Sequence, residues 1–276
     1  MEADFLYPIR VFSIPKRGLS EVENEDAVAF DFNSTMGWLA IADGATEASY
    51  SREWARLLVE SFRKHFLHQV GRVEECSASI EKIRRVLIDT QKLWHEEVPW
   101  DRLASRGWLF EEKARQGAFA TFLGVKLQGE QWAAIGIGDC NLFILTRTDE
   151  MRLSFPASSA TAFGTAPLLV PSIPGSAMEK ALSTLSCTSG CWQEGEHLIA
   201  CTDAVAAYLL THSDEKSVWT SLLAAATPEE FRAWVEAARE VGMRNDDSTA
   251  AIVRLTELTE NIKESSLGEG ISDGLA

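Results

Sequence analysis

Five aspartates stand at the ends of apolar, strand-like runs, and that placement constrains the fold more than any other feature of the chain. Asp26 precedes Ala27-Val28-Ala29-Phe30, and Asp43 follows Trp38-Leu39-Ala40-Ile41-Ala42. Asp139 follows Trp132 to Gly138, Asp203 follows His197 to Thr202, and Asp246 comes just before Asp247-Ser248-Thr249 and the run to Val253. An unpaired carboxylate is costly to bury, so carboxylates set repeatedly at strand mouths imply a common positive centre, most simply a group of metal ions.

The apolar runs around these residues predict the architecture. Tyr7 to Ile14, Ala27 to Phe32 and Met36 to Ala42 read as an opening meander, with Asn33-Ser34-Thr35 joining the last two strands. Ala118 to Leu127, Gln131 to Ile137 and Asn141 to Thr146 read as a second meander, turned at Gln128-Gly129-Glu130. Thr184 to Thr188, His197 to Thr202 and Thr249 to Leu255 supply the remaining strands.

Between the meanders, Trp54, Leu57, Leu58, Phe62 and Phe66 recur with helical period, followed by Ile80, Ile83, Leu87 and Trp94 up to about Glu97, before Pro99. Trp100 to Gln116 is expected to be helical with a break at Gly107, and further helices are expected over Ala204 to Leu210 and Pro228 to Val241. Residues 156–177, rich in Pro, Ser, Ala, Thr and Gly, read as an irregular surface excursion. Strands and helices in groups predict an α+β fold with helices outside two sheets. One domain over residues 1–256 is expected, followed by an acidic tail over 257–276 without packing of its own.

Composition excludes several functions. The chain has 276 residues and a formal net charge of -15, and its 26 basic residues form no stripe, which disfavours nucleic acid. No run approaches the roughly 18–20 apolar residues of a membrane span. The start lacks a basic segment followed by an apolar stretch, so a cytoplasmic address is expected. The five cysteines, Cys76, Cys140, Cys187, Cys191 and Cys201, are expected to be reduced. The Cys187/Cys191 spacing lacks the second pair of a zinc site and reads as ordinary packing.

Asn24-Glu25-Asp26-Ala27, Ala42-Asp43-Gly44, Gly138-Asp139-Cys140, Cys201-Thr202-Asp203 and Asn245-Asp246-Asp247-Ser248-Thr249 resemble, in order, the motifs of the PP2C-type (PPM) metal-dependent protein serine/threonine phosphatases. The resemblance spans about residues 10–255. It implies a four-layer αββα sandwich of two antiparallel sheets, two Mn²⁺ or Mg²⁺ ions, and hydrolysis of phosphoserine or phosphothreonine in a protein substrate by a metal-activated water. It implies that Asp43 bridges the ions, that the Gly44 carbonyl helps hold the second, and that Asp203 and Asp246 hold the first. Asp26 would act through water, and Asp139 would serve a third, weaker ion as in bacterial members. Hard divalent ions prefer oxygen donors, which suits this residue set.

Three departures qualify the resemblance. Glu21 stands five residues before Asp26, where the family commonly has a phosphate-gripping Arg. Lys16 and Arg17 are the nearest basic residues for that role, although solvated turn charges are the plainer reading. Ala204 replaces a usual Gly, which matters if the backbone there needs positive φ. Ala45-Thr46-Glu47 replaces the usual sequence after Asp43, with Glu47 either a ligand or a helix-capping charge. An alternative is therefore a catalytically weak regulatory module that binds a phosphoprotein or protein partner. Oligomeric state is not legible.

Overall fold

The structure, a computed structural model, describes residues 5–33, 36–45, 50–66, 76–100, 108–163 and 168–257. The first half runs β1 (Phe5–Leu6), β2 (Ile9–Ile14), β3 (Asp26–Phe32), β4 (Met36–Asp43), α1 (Ser51–Phe66), α2 (Cys76–Glu97) and α3 (Trp108–Arg115). Then come β5 (Phe119–Ala120), β6 (Phe122–Gln128), β7 (Gln131–Ile137), β8 (Asn141–Leu145), β9 (Met151–Phe155), β10 (Val170–Pro171) and α4 (Ser176–Ser183). The chain closes with β11 (Ser186–Cys191), β12 (His197–Cys201), α5 (Asp203–Thr211), α6 (Lys216–Ala224), α7 (Pro228–Glu240), β13 (Ser248–Arg254) and β14 (Thr256–Glu257).

Two five-stranded antiparallel sheets form, in the orders β11-β7-β6-β4-β3 and β2-β13-β12-β8-β9. Their strands are apolar on both faces because each sheet is covered twice. Along β4, Leu39 and Ile41 enter the layer between the sheets, whereas Trp38, Ala40 and Ala42 enter the layer under α1 and α2. Along β8, Leu142 and Ile144 face the first sheet, and Phe143 and Leu145 face the outer helices α5 to α7. The period of two in a strand thus sorts each apolar run into two cores. The expected four-layer αββα sandwich is the observed architecture.

The predicted helical stripe of α1 is buried as expected: Trp54, Leu58 and Phe62 lie in the outer core of the first sheet. Burying each such side chain contributes roughly 1.5–3 kcal/mol. At the other end of the chain, α7 begins at a capping box between Thr227 and Glu230, with Pro228 in its first turn, and buries Phe231 and Val235.

Several expectations need correction. β9 and α6 are additions to the predicted elements: Met151-Arg152-Leu153-Ser154-Phe155 is short and carries a charge, and α6 is short as well. Residues 156–177 are less irregular than their composition suggests. Ala157, Ala160 and Phe163 pack on the outer core of the second sheet, Val170–Pro171 pairs with β5, and α4 starts at Ser176. The broken helix expected from Trp100 is seen as α3, and 101–107 lie outside the described residues. Glu257, expected to open the tail, pairs with Phe5, and 258–276 lie outside the described residues. Cys140, Cys191 and Cys201 are free, but Cys187 is disulfide-bonded, against the expectation of fully reduced cysteines. Cys191, its near neighbour in sequence, is not the partner, so the local spacing does not reveal the bond.

Candidate metal centre

The register of the first sheet places two aspartates face to face. Asp26, the first residue of β3, is the cross-strand partner of Asp43, the last of β4. The chain then continues close to its neighbours. Gly44 N–H donates to the Glu25 carbonyl at 3.2 Å, and a Cβ on Gly44 would lie 2.9 Å from the Ser51 backbone, so only glycine fits as β4 runs toward α1. Thr121 holds Asp43 from the other side: its N–H donates to the Asp43 carbonyl at 2.8 Å and its hydroxyl accepts from the Asp43 N–H at 3.1 Å. Gly138, at φ 92°, turns the chain from β7 toward Asp139, and a Cβ there would meet the Thr121 side chain at 2.8 Å.

The second sheet supplies the opposing wall. Asp203 is the first residue of α5, directly after β12, with Thr202 at the N-cap. Asp246 precedes β13. The Thr202 hydroxyl accepts from Thr249 N–H and donates to Asp26 Oδ2, each at 3.1 Å, and so joins the two sheets. Asp247, buried, accepts from the backbone N–H groups of Lys16 and Glu25, each at 2.8 Å. One carboxylate thus clamps the loop after β2 and the start of β3 to the root of β13.

Asp26, Asp43, Asp139 and Asp203 feel the carboxylates around them. Burial, then Asp26, Asp203, Asp139 and Asp246 in turn, push Asp43 well above the usual carboxylate range. Burial is the largest influence on Asp26 as well, reinforced by Asp247 and Asp203 and opposed by hydrogen bonds from Thr249 and Thr202. Asp139 is pushed up to about 7, by burial first and then by Asp203. Asp203 is also raised, mainly by burial, with Arg244 pulling the other way. Such mutual elevation marks a site that favours added positive charge.

Arg244 already provides some. Its Nη2 bonds Asp203 Oδ2, and its Nε lies 3.8 Å from Asp246 Oδ2. Burial works against the Arg244 charge, but Asp203, Asp246 and Asp139 outweigh it and raise its pKa above the usual value. Arg17, one of the basic residues proposed from sequence for the phosphate, is committed elsewhere. It pairs with Glu236 and Glu240 on α7, and Glu21 pairs with Arg232 at 2.8 Å. Glu21 is therefore a surface partner of α7.

The donor set suits Mn²⁺ or Mg²⁺. It consists of carboxylates, and two buried oxygens, Asp26 Oδ1 and Asp203 Oδ1, have no hydrogen-bond partner. Among the described residues, however, no group of three or more His, Cys, Asp or Glu side chains is gathered in ligating arrangement. The carboxylates converge without closing, as expected of like charges with a guanidinium on one of them.

All five aspartates singled out in the sequence meet at this rim, as does Gly44. Thr46 and Glu47 lie outside the described residues. Ala204 is buried within α5 and its φ is not positive, so the replacement of Gly brings no backbone strain. Sequence reading missed Arg244, Asp247 and the hydroxyl of Thr202. Asp247 was visible only as a motif neighbour of Asp246 with no role of its own, and the pairing of Arg244 with Asp203 is a purely spatial fact.

A family model described as Protein phosphatase 2C matches residues 19–240. Among curated proteins, none matches the chain in sequence. Solved structures share the fold. The catalytic domain of the serine/threonine protein phosphatase PstP, in complex with 2 manganese ions, has a TM-score of 0.61 at 14% identity, covering 91% of this chain and 99% of that one. Stp1 from Staphylococcus aureus gives 0.60 at 13%, covering 92% and 97%, and RsbX in complex with magnesium gives 0.50 at 13%, covering 91% and 100%.

Proposed function

Because this chain belongs to the protein phosphatase 2C family, we propose that it hydrolyses phosphoserine and phosphothreonine in a protein substrate. The observation that carries the reading is the meeting of five aspartates from five chain segments at one rim, two of them with a sealed, unpartnered oxygen. Asp43, the Gly44 carbonyl, Asp203 and Asp246 would hold two Mn²⁺ or Mg²⁺ ions, and Asp139 a third. Bound there, divalent ions would lower the pKa of water and neutralise phosphoryl charge.

The chain's own residues do the rest. Thr202 and Thr249 aim Asp26 so that Oδ1 stays free to orient a water and accept its proton. Thr121 fixes the Asp43 backbone, and Asp247 keeps the two sheets in register at the rim. Residues 1–256 would act as one phosphatase domain, with Glu257 paired to Phe5 at its end.

The test is phosphate release from an aryl phosphate and from phosphothreonine peptides, with Mn²⁺, Mg²⁺ or chelator, beside Asp43→Ala and Asp203→Ala. Turnover that needs the metal and falls at least about a hundredfold in both variants is expected. Turnover indifferent to chelator sinks the reading. The placement of Glu21 against Arg232 favours a second reading, a catalytically weak module that binds a phosphoprotein; metal-dependent peptide binding with no turnover would select it.

A further inference from the structure

Resting on that reading, we infer that Arg244 is the side chain with which this protein grips a phosphate, and that it is parked on Asp203 until divalent ions displace it. Three observations lead there. First, the neighbouring arginines are committed elsewhere: Arg17 to Glu236 and Glu240, Arg232 to Glu21, and the buried Arg239 to the carbonyls of Pro15 and Asp246. Arg244 instead contacts Asp203 and Asp246, two of the proposed ligands.

Second, its base is anchored while its head is free to move. Met243 beside it is buried, and Asp246 N–H donates to the Arg244 carbonyl at 3.0 Å, whereas the Arg244 side chain is 48% exposed. Gly242, at φ 117° and with open space where a side chain would project, opens the turn that carries it. A long side chain on a pinned backbone swings between partners by rotamer changes alone.

Third, a guanidinium and a divalent ion compete electrostatically for Asp203. Asp203 Oδ2 accepts the guanidinium, and its Oδ1 is buried without a hydrogen-bond partner. A divalent ion held by Asp203 and Asp246 repels the guanidinium that contacts the same two carboxylates and drives it to the mouth of the site. A freed planar fork then faces the place where a phosphate would sit, and matches two of its oxygens better than an ammonium does. The parked state also weakens ion binding, because only the fraction with Arg244 displaced is competent.

Full-length wild type, Arg244→Gln and Arg244→Lys are compared. Calorimetric titration with MnCl₂ alone should show the Gln variant binding about tenfold more tightly than wild type. At saturating Mn²⁺, KM for a phosphothreonine peptide should rise on the order of tenfold in the Gln variant with a smaller change in kcat, and Lys should fall between. Equal Mn²⁺ affinity in wild type and Gln variant overturns the parking, and an unchanged KM overturns the grip. If Mn²⁺ binds but wild type turns over no phosphoester, the phosphatase reading fails by itself. Arg244 is then judged by inorganic phosphate, which should bind the Mn²⁺-loaded wild type about tenfold more tightly than the Gln variant; equal binding overturns the inference.

Discussion

The two walls of the acidic rim solve the same electrostatic problem in different ways. At the ends of β3 and β4, Asp26 and Asp43 face each other across a strand pair, and Asp26 is steadied by the Thr202 and Thr249 hydroxyls. At the start of α5 and the approach to β13, Asp203 and Asp246 are met by the charged Arg244. Hydroxyls orient a carboxylate but leave its charge in place, while a guanidinium compensates it. The first wall therefore depends more on an added ion, and the second has to exchange one cation for another.

The widest separation between the walls should appear in the pH dependence of stability without metal. Asp139 titrates near 7 when folded against 3.8 for an ordinary aspartate, and Asp26, Asp43 and Asp203 are raised in the same direction. The folded state then holds more protons than the unfolded one between those values. For Asp139 the stability penalty is absent below about pH 4, grows as pH rises, and is complete above about pH 7, and the raised Asp26, Asp43 and Asp203 add to it in the same direction. Melting in chelator should thus drop between pH 5 and 7.5 by the equivalent of a few kcal/mol, at about 1.4 kcal/mol per pK unit. Mn²⁺ at a hundred times its Kd should return about 2.7 kcal/mol. A melting temperature flat with pH in chelator would erase the distinction.

A smaller effect is expected from the hydroxyl of the first wall alone. Thr202→Val keeps the shape but removes the donor to Asp26 Oδ2, and should lower kcat about 10- to 100-fold while Mn²⁺ affinity changes less. An unchanged kcat would mean that Asp26 needs no aiming. The smallest effect belongs to a site outside both walls. Glu21→Ala removes an exposed pair with Arg232, should alter stability by less than about 1 kcal/mol, and should leave KM as it is. A large KM change there would return phosphate binding to the position that the family resemblance indicated.

What was legible in the sequence follows from how local each determinant is. The apolar run from Trp38 to Ala42 and the helical stripe of Trp54, Leu58 and Phe62 are local, and they announced their elements. The aspartates were legible because each ends such a run, so the topology that pairs the strands also gathers the carboxylates. α6 and α4 escape a sequence reading because short helices with Ser, Thr and Gly nearby carry little periodic signal. The disulfide of Cys187 and the pairing of Arg244 with Asp203 depend on segments meeting in space. Nothing in Met243-Arg244-Asn245 distinguishes an arginine at a metal rim from one in a solvated turn.

The facing of Asp26 and Asp43 reaches beyond chemistry. The backbone ladder between β3 and β4 ends on a rung whose side chains repel, since like charges directly opposite weaken a strand pair. How far that ladder zips would then follow the charge the rim holds: a cation bound there would tighten this end of the first sheet, and its loss would loosen it.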